Sequence, residues 1–126
     1  MFKGIDHLVI AVNDLQKAVD DYQKMGFKAE HVGRVTPFGN RQALLYMGDR
    51  SNYIELVEPM STDSPVARTL QRRGEGIHLI ALAVEDVTQA TAEMKSKGMQ
   101  LMEGAGGPYL HPRDSHGILY QLVERK

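Results

Sequence analysis

Residues 4–28 (GIDHLVIAVNDLQKAVDDYQKMGFK) and residues 76–100 (GIHLIALAVEDVTQATAEMKSKGMQ) lie over one another without a gap at an offset of 72. Seven of the 25 aligned positions are identical: Gly4/Gly76, Ile5/Ile77, Ala11/Ala83, Val12/Val84, Asp14/Asp86, Ala18/Ala90 and Gly26/Gly98. Ile10/Leu82 and Asp21/Glu93 are conservative pairs. The ends of the two halves also correspond. Glu55-Leu56-Val57-Glu58 falls on Gln121-Leu122-Val123-Glu124, but at an offset of 66, so the second half is six residues shorter between its helix and its last strand. Two copies at so long a period exclude a solenoid and predict a duplicated module folded as a pseudo-twofold pair.

Each copy reads the same way. Residues 5–12 and 77–84 are apolar and β-branched and are bounded by turn residues, so they predict strands. Asp14 and Asp86 then offer capping oxygens to helices. Leu15, Ala18, Val19 and Tyr22 recur at helical spacing, as do Val87, Ala90 and Met94. Gly26 and Gly98 suit the left-handed residue that ends a helix. Extended segments follow at 29–36, 42–47 and 53–57, and in the second half at 100–102, 109–111 and 118–123. Ser64-Pro65 opens a linker helix over about 64–73 that Gly74 stops, with Arg72 and Arg73 answering its dipole. The expected fold is α+β, one domain over 1–126. Its βαβββ modules run over about 4–58 and 76–124, in a cupped mixed sheet with helices outside. Eight strands are expected.

Composition narrows the function. A chain of 126 residues with 42% hydrophobic and 25% charged residues is long enough for a real core. Fifteen basic against sixteen acidic residues leave a net charge of −1, so the basic excess of a nucleic-acid binder is missing. The absence of cysteine removes disulfides, thiolate metal sites and a thiol nucleophile. No apolar run approaches the ~18 residues of a membrane span, and the opening residues do not read as a secretory leader. The expectation is a cytoplasmic protein that binds a small molecule, neither a nucleic acid nor a membrane. Open sheet edges predict a homodimer, with the first-module edge near residues 32–35 as the contact.

Alternation along the strands nominates the chemistry. Leu8, Ile10 and Val12 share one side and should pack under the helix. His7, Val9 and Ala11 share the other. In the repeat these become Ile80, Leu82 and Val84, then Leu79, Ala81 and Ala83. Glu55 and Gln121 occupy equivalent points of the last strands. The duplication thus singles out His7, Leu79, Glu55 and Gln121. An imidazole and a carboxylate converging from different strands suit a divalent metal. They equally suit a buried His hydrogen-bonded to Glu55 with no metal. Gly104-Ala105-Gly106-Gly107 is not a phosphate loop, because no Lys-Ser/Thr follows and no helix starts there.

Residues 5–12 with Asp14-Leu15, the segments 58–67 and 73–82, Leu110-His111-Pro112 and Gly117-Ile118-Leu119 resemble the vicinal oxygen chelate superfamily. This is the glyoxalase, bleomycin-resistance and dioxygenase group, and the nearest branch is that of methylmalonyl-CoA epimerase-like proteins. The resemblance implies a divalent metal (Zn, Ni, Co or Mn) that polarises a substrate carbonyl, so that a neighbouring proton moves through an enolate. It places metal ligands at His7, Glu55 and Gln121. The fourth ligand position is Leu79, which cannot bind metal, and Gln121 is an amide where a carboxylate is usual, so metal binding is expected to be weak or absent. His78 precedes the ligand position and should point to the helix side. Glu55 and Gln121 become the candidate catalytic residues, with Glu55 as base. Gln42 stands where a flanking carboxylate belongs and, with His111, becomes a candidate substrate contact. Arg34, Arg41, Arg72 and Arg73 could hold an anionic group such as a CoA phosphate.

Three functions follow from that resemblance. The first is an isomerase or lyase with an incomplete metal site, acting on an acyl-CoA or another carbonyl compound. The second is a metal-free binding protein of the bleomycin-resistance kind. The third is a dioxygenase, which needs two His and one carboxylate around iron and here finds only His7 and Glu55.

Overall fold

The computed structural model describes all residues, 1–126. The strands are β1 (Phe2–Ala11), β2 (Lys28–Val35), β3 (Asn40–Tyr46), β4 (Tyr53–Pro59), β5 (Gly76–Val84), β6 (Leu101–Met102), β7 (Tyr109–Leu110) and β8 (Tyr120–Glu124). The helices are α1 (Leu15–Lys24), α2 (Pro65–Arg73) and α3 (Val87–Ser96). The eight strands belong to one mixed sheet. The order β–α–β–β–β therefore occurs twice with α2 between, as the repeat predicts. No helix is long and apolar enough to cross a membrane.

The chain divides into two compact units, residues 8–78 and residues 1–7 with 79–126. In the first, the strands run β2-β3-β4-β1, and β2, β3 and β4 pair antiparallel. In the second, the order is β6-β7-β8-β5, with β8 parallel to β5. Strands β6 and β7 have two residues each, which is where the second module lost length.

Capping explains where the helices begin. The Asp14 side chain accepts from the Lys17 amide at 3.1 Å, and that of Asp86 from the Gln89 amide at 3.0 Å. Each helix has a second anionic partner. Glu58 Oε1 accepts from the Leu15 amide at 2.7 Å, and Glu124 Oε1 from the Val87 amide at 3.0 Å. Two of the four orphan N–H groups of each first turn are thereby satisfied by carboxylates, which the helix dipole also favours. Gly26 and Gly98, just past the helix ends, take φ of 112° and 88°.

Apolar spacing decides what each helix covers. Leu15 and Val19 pack on Val12, Ala43, Leu45, Ile54 and Leu56, with Leu8 and Ile10 beside them. Ala90, Val87 and Met94 pack on Val84, Leu122 and Leu82. The strand face assigned to the helices is therefore correct in both units. His7, Glu55 and Gln121 fall on the opposite face of their strands.

Ser64 caps α2 through the Ala67 amide at 3.1 Å. The buried Thr69 of this helix bonds His78 Nδ1 through its Oγ1 at 2.8 Å. His78 thus faces a helix, as expected, and this bond locks α2 to β5. Burial, and then the positive charges of Arg73 and Arg72, push its pKa down to about 4 from an ordinary 6.5. The unfolded chain therefore binds a proton that the folded chain refuses between those values. This contribution to stability is complete above pH 6.5 and is lost as the pH falls toward 4. A shift of this size corresponds to on the order of 2–3 kcal/mol for a half-buried ring. In His78→Asn, the loss of urea resistance between pH 7 and pH 4.5 should shrink by that amount. An undiminished acid loss in the variant would show that another group is responsible.

Candidate functional site

In residues 8–78 the polar side chains away from the helix form a chain of hydrogen bonds. Glu55 lies on β4, diagonal to Gln42 on β3, because Gln42 pairs with Val57 and Leu44 with Glu55. Gln42 Nε2 donates to Glu55 Oε2 at 2.6 Å. Arg34, directly across from Gln42 on β2, donates from Nε to Gln42 Oε1 at 2.5 Å. Gln42 is buried and Glu55 half-buried, whereas Arg34 is exposed. Asn40 lies two positions before Gln42 on the same face, and its buried Oδ1 has no hydrogen-bond partner.

The other unit, residues 1–7 with 79–126, holds His7, 8% exposed, by a different chain. His7 Nδ1 is 2.8 Å from Asp6 Oδ2, and Arg125 Nη1 reaches Asp6 Oδ1 at 3.4 Å. A carboxylate at Nδ1 fixes the imidazole orientation and favours a proton on that nitrogen. Leu79 is buried with Ala81 and Ala83 on the face away from α3, an apolar wall. Gln121 sits on that same face, opposite Tyr109 of β7. Its Nε2 donates to the Gly106 carbonyl at 2.6 Å. The Gly-rich segment is thus a turn, closed by the Gly107 amide on Gly104 O at 2.9 Å and covered by the Tyr109 ring, whose hydroxyl bonds Ala105 O. A carboxylate at position 121 could not make the Gly106 bond, since it has no donor. His111 closes the N-terminus of the short 3-10 turn Pro112–Asp114, where its Nδ1 accepts from the Arg113 amide at 3.1 Å.

These arrangements bear on the metal that the resemblance implies. Nowhere do three or more His, Asp or Glu side chains cluster closely enough to hold one. His7 engages Asp6, Glu55 engages Gln42, Gln121 is turned to a carbonyl, and Leu79 offers nothing. A tight divalent site uses three or four protein ligands with anionic charge among them. The residues present do not fit one.

Sequence reading found Gln42, Glu55 and Arg34 but not their connection. It missed Asp6 and Arg125 as partners of His7. No sequence pattern signalled the Asp6–His7 contact, since neighbouring strand residues ordinarily face apart.

Comparison with known proteins supports the fold described above. The glyoxalase-like domain profile matches residues 5–118. The chain belongs to the glyoxalase-like domain family. Human mitochondrial methylmalonyl-CoA epimerase is 30% identical over 95% of this chain and 73% of its own length. The ethylmalonyl-CoA/methylmalonyl-CoA epimerase of Cereibacter sphaeroides is 29% identical over 98% of this chain and 99% of its own. Among solved structures, a variant of Streptomyces coelicolor methylmalonyl-CoA epimerase in complex with 2-nitronate-propionyl-CoA superposes with a TM-score of 0.85. It is 36% identical and is covered over 98% of both chains.

The ligand positions predict a measurable weakness. Zn, Ni, Co or Mn at micromolar concentration should leave the Tm within about 2 °C of the metal-free value. A tight site saturated at 100 Kd would add about 2.7 kcal/mol and raise Tm by on the order of 10 °C. The double change Leu79→His with Gln121→Glu supplies the missing donors but breaks the Gly106 bond. Its metal-free Tm should fall and added metal should recover it. A 10 °C shift in the unaltered protein would refute the reading of these residues.

Proposed function

We propose that this chain binds an acyl-CoA thioester and moves the proton on the carbon beside its carbonyl. Kinship to methylmalonyl-CoA epimerases supports the substrate class. The observation that carries the proton-transfer step is the Gln42–Glu55 hydrogen bond of 2.6 Å. A base needs a fixed direction as well as a lone pair, and this bond gives the carboxylate one. Gln42 itself cannot take a proton, so the role falls to Glu55. In the family a metal supplies electrophilic help to the carbonyl oxygen. Here no step is assigned to it, because the donor set fits poorly. The unpartnered Asn40 oxygen on the same face leaves an acceptor for an N–H of the ligand.

A second reading, metal-free binding without turnover, is favoured by the Gln121–Gly106 bond. It replaces a ligand position by a structural one.

Proton NMR of methylmalonyl-CoA in deuterated buffer separates the two readings. The α-proton signal should fade faster with the protein than without it, and Glu55→Gln should slow that loss by on the order of a hundredfold or more. Binding of the thioester with no faster exchange would leave only the second reading.

The homodimer belongs to the same proposal. Strand β2 is the outer strand of its unit, and Val32 and Val35 on it are exposed. Sedimentation at micromolar concentration should give twice the chain mass, and Val35→Lys should reduce it toward one chain. A single-chain mass for the unaltered protein would remove the dimer from this reading.

A further inference from the structure

The pairing of β2 with β3 is interrupted in one place. Lys28, Ala29 and Glu30 pair with Tyr46, Leu45 and Leu44, and then Arg34 pairs with Gln42. Between Glu30 and Arg34 the outer strand advances four residues while β3 advances two. In an uninterrupted ladder Val32, not Arg34, would stand opposite Gln42. The two extra residues are accommodated by positive φ at His31 (56°) and Gly33 (87°). Gly33 adopts this without strain. His31, which is not glycine, is strained in that conformation. Strain retained next to a polar site points to a purpose at that site.

The purpose is visible in the hydrogen bonds. A guanidinium only donates and a carboxylate only accepts. An amide between them has one consistent orientation, with its oxygen toward Arg34 and its nitrogen toward Glu55. Both bonds are found in that sense. Without Arg34, nothing on that side would hold the amide against rotation. We infer that Arg34 and Gln42 are positioning residues for the Glu55 carboxylate, and that the β2 bulge is the device that seats Arg34 against Gln42. The inference rests on the proton-transfer reading above. It also revises the role of Arg34, whose Nε serves the amide.

The test is a double-mutant cycle on α-proton exchange of methylmalonyl-CoA, with kcat and KM measured separately. Arg34→Met should lower kcat on the order of tenfold and change KM by less than about twofold. Gln42→Met should lower kcat at least as much. Adding Arg34→Met to Gln42→Met should cost nothing further, because the guanidinium acts through the amide. Arg34→Lys, which keeps a donor, should recover part of the loss. A readout free of turnover accompanies these: the Gln42 side-chain amide resonances should shift in Arg34→Met and again in Glu55→Gln. Effects on kcat that multiply, a rise in KM alone, or an unmoved amide signal would each overturn the inference. If the unaltered protein exchanges no proton, the functional reading fails and the positioning role falls with it. If it does exchange and Arg34→Met leaves kcat unchanged, only the positioning role falls.

Discussion

Each unit depends on a carboxylate at the end of its last strand bonded to the first turn of its helix. Glu58 holds the Leu15 amide, and Glu124 holds the Val87 amide. A hydrogen bond between a charged group and an amide contributes more than a neutral one, and the dipole of the helix adds to it. It also sets direction. With the helix start pinned to the sheet edge, Leu15 and Val19 must descend on Leu45 and Leu56, and Ala90 on Leu122. One face of each strand set is thereby filled with aliphatic side chains. The other face carries a few polar groups among buried small and aliphatic residues such as Val57, Leu79, Ala81 and Ala83. The recurrence of this bond at offsets of 72 and 66 shows that the six-residue loss fell between these anchors.

The duplicate halves have used the face away from the helices differently. In the unit of residues 8–78 it carries Gln42 and Glu55, a buried amide and a half-buried carboxylate that satisfy each other. In the other unit the equivalent of Glu55 is Gln121, spent on a turn carbonyl. The Gln42–Glu55 pair is the more buried of the two, and leaving either of its partners unsatisfied would cost roughly 1–3 kcal/mol. The amide at position 121 and the Gly-rich turn are joined by that one bond. The donor that the turn carbonyl receives is one that a carboxylate at position 121 would lack.

How much of this was legible follows from what is local. Cap residues and strand alternation are local, and with the repeat they placed the order of elements, the helix starts at Asp14, Ser64 and Asp86, and the faces of His7 and Glu55. The substrate roles expected of Gln42 and His111 could not be read further, because their partners are set by register. Gln42 meets Arg34 only because β2 slips by two residues, and no composition rule announces that slip. Gly33 was the one visible trace, and a lone glycine in a strand has several explanations. His111 turned inward to its own 3-10 turn through a bond two residues long, a local event hidden by the Pro that follows it. The Asp6–His7 contact ran against strand alternation and so had no pattern to betray it.

The order of charges along Arg34, Gln42 and Glu55 carries a last consequence. The same three positions could satisfy their hydrogen bonds with the carboxylate at 42 and the amide at 55. Donor and acceptor would still match at each step. What would differ is the distance from the guanidinium to the negative charge. A carboxylate bonded directly to arginine is held ionised by that pair and becomes a weaker base. An amide set between them passes on orientation. Proton abstraction beside a thioester carbonyl needs both a fixed carboxylate and an effective base. For the proposed base Glu55, the sequence Arg–Gln–Glu across three strands supplies the first. The cost is a strained bulge in β2, placed at the exposed His31 and Val32 and clear of the core contact that Ala29 makes.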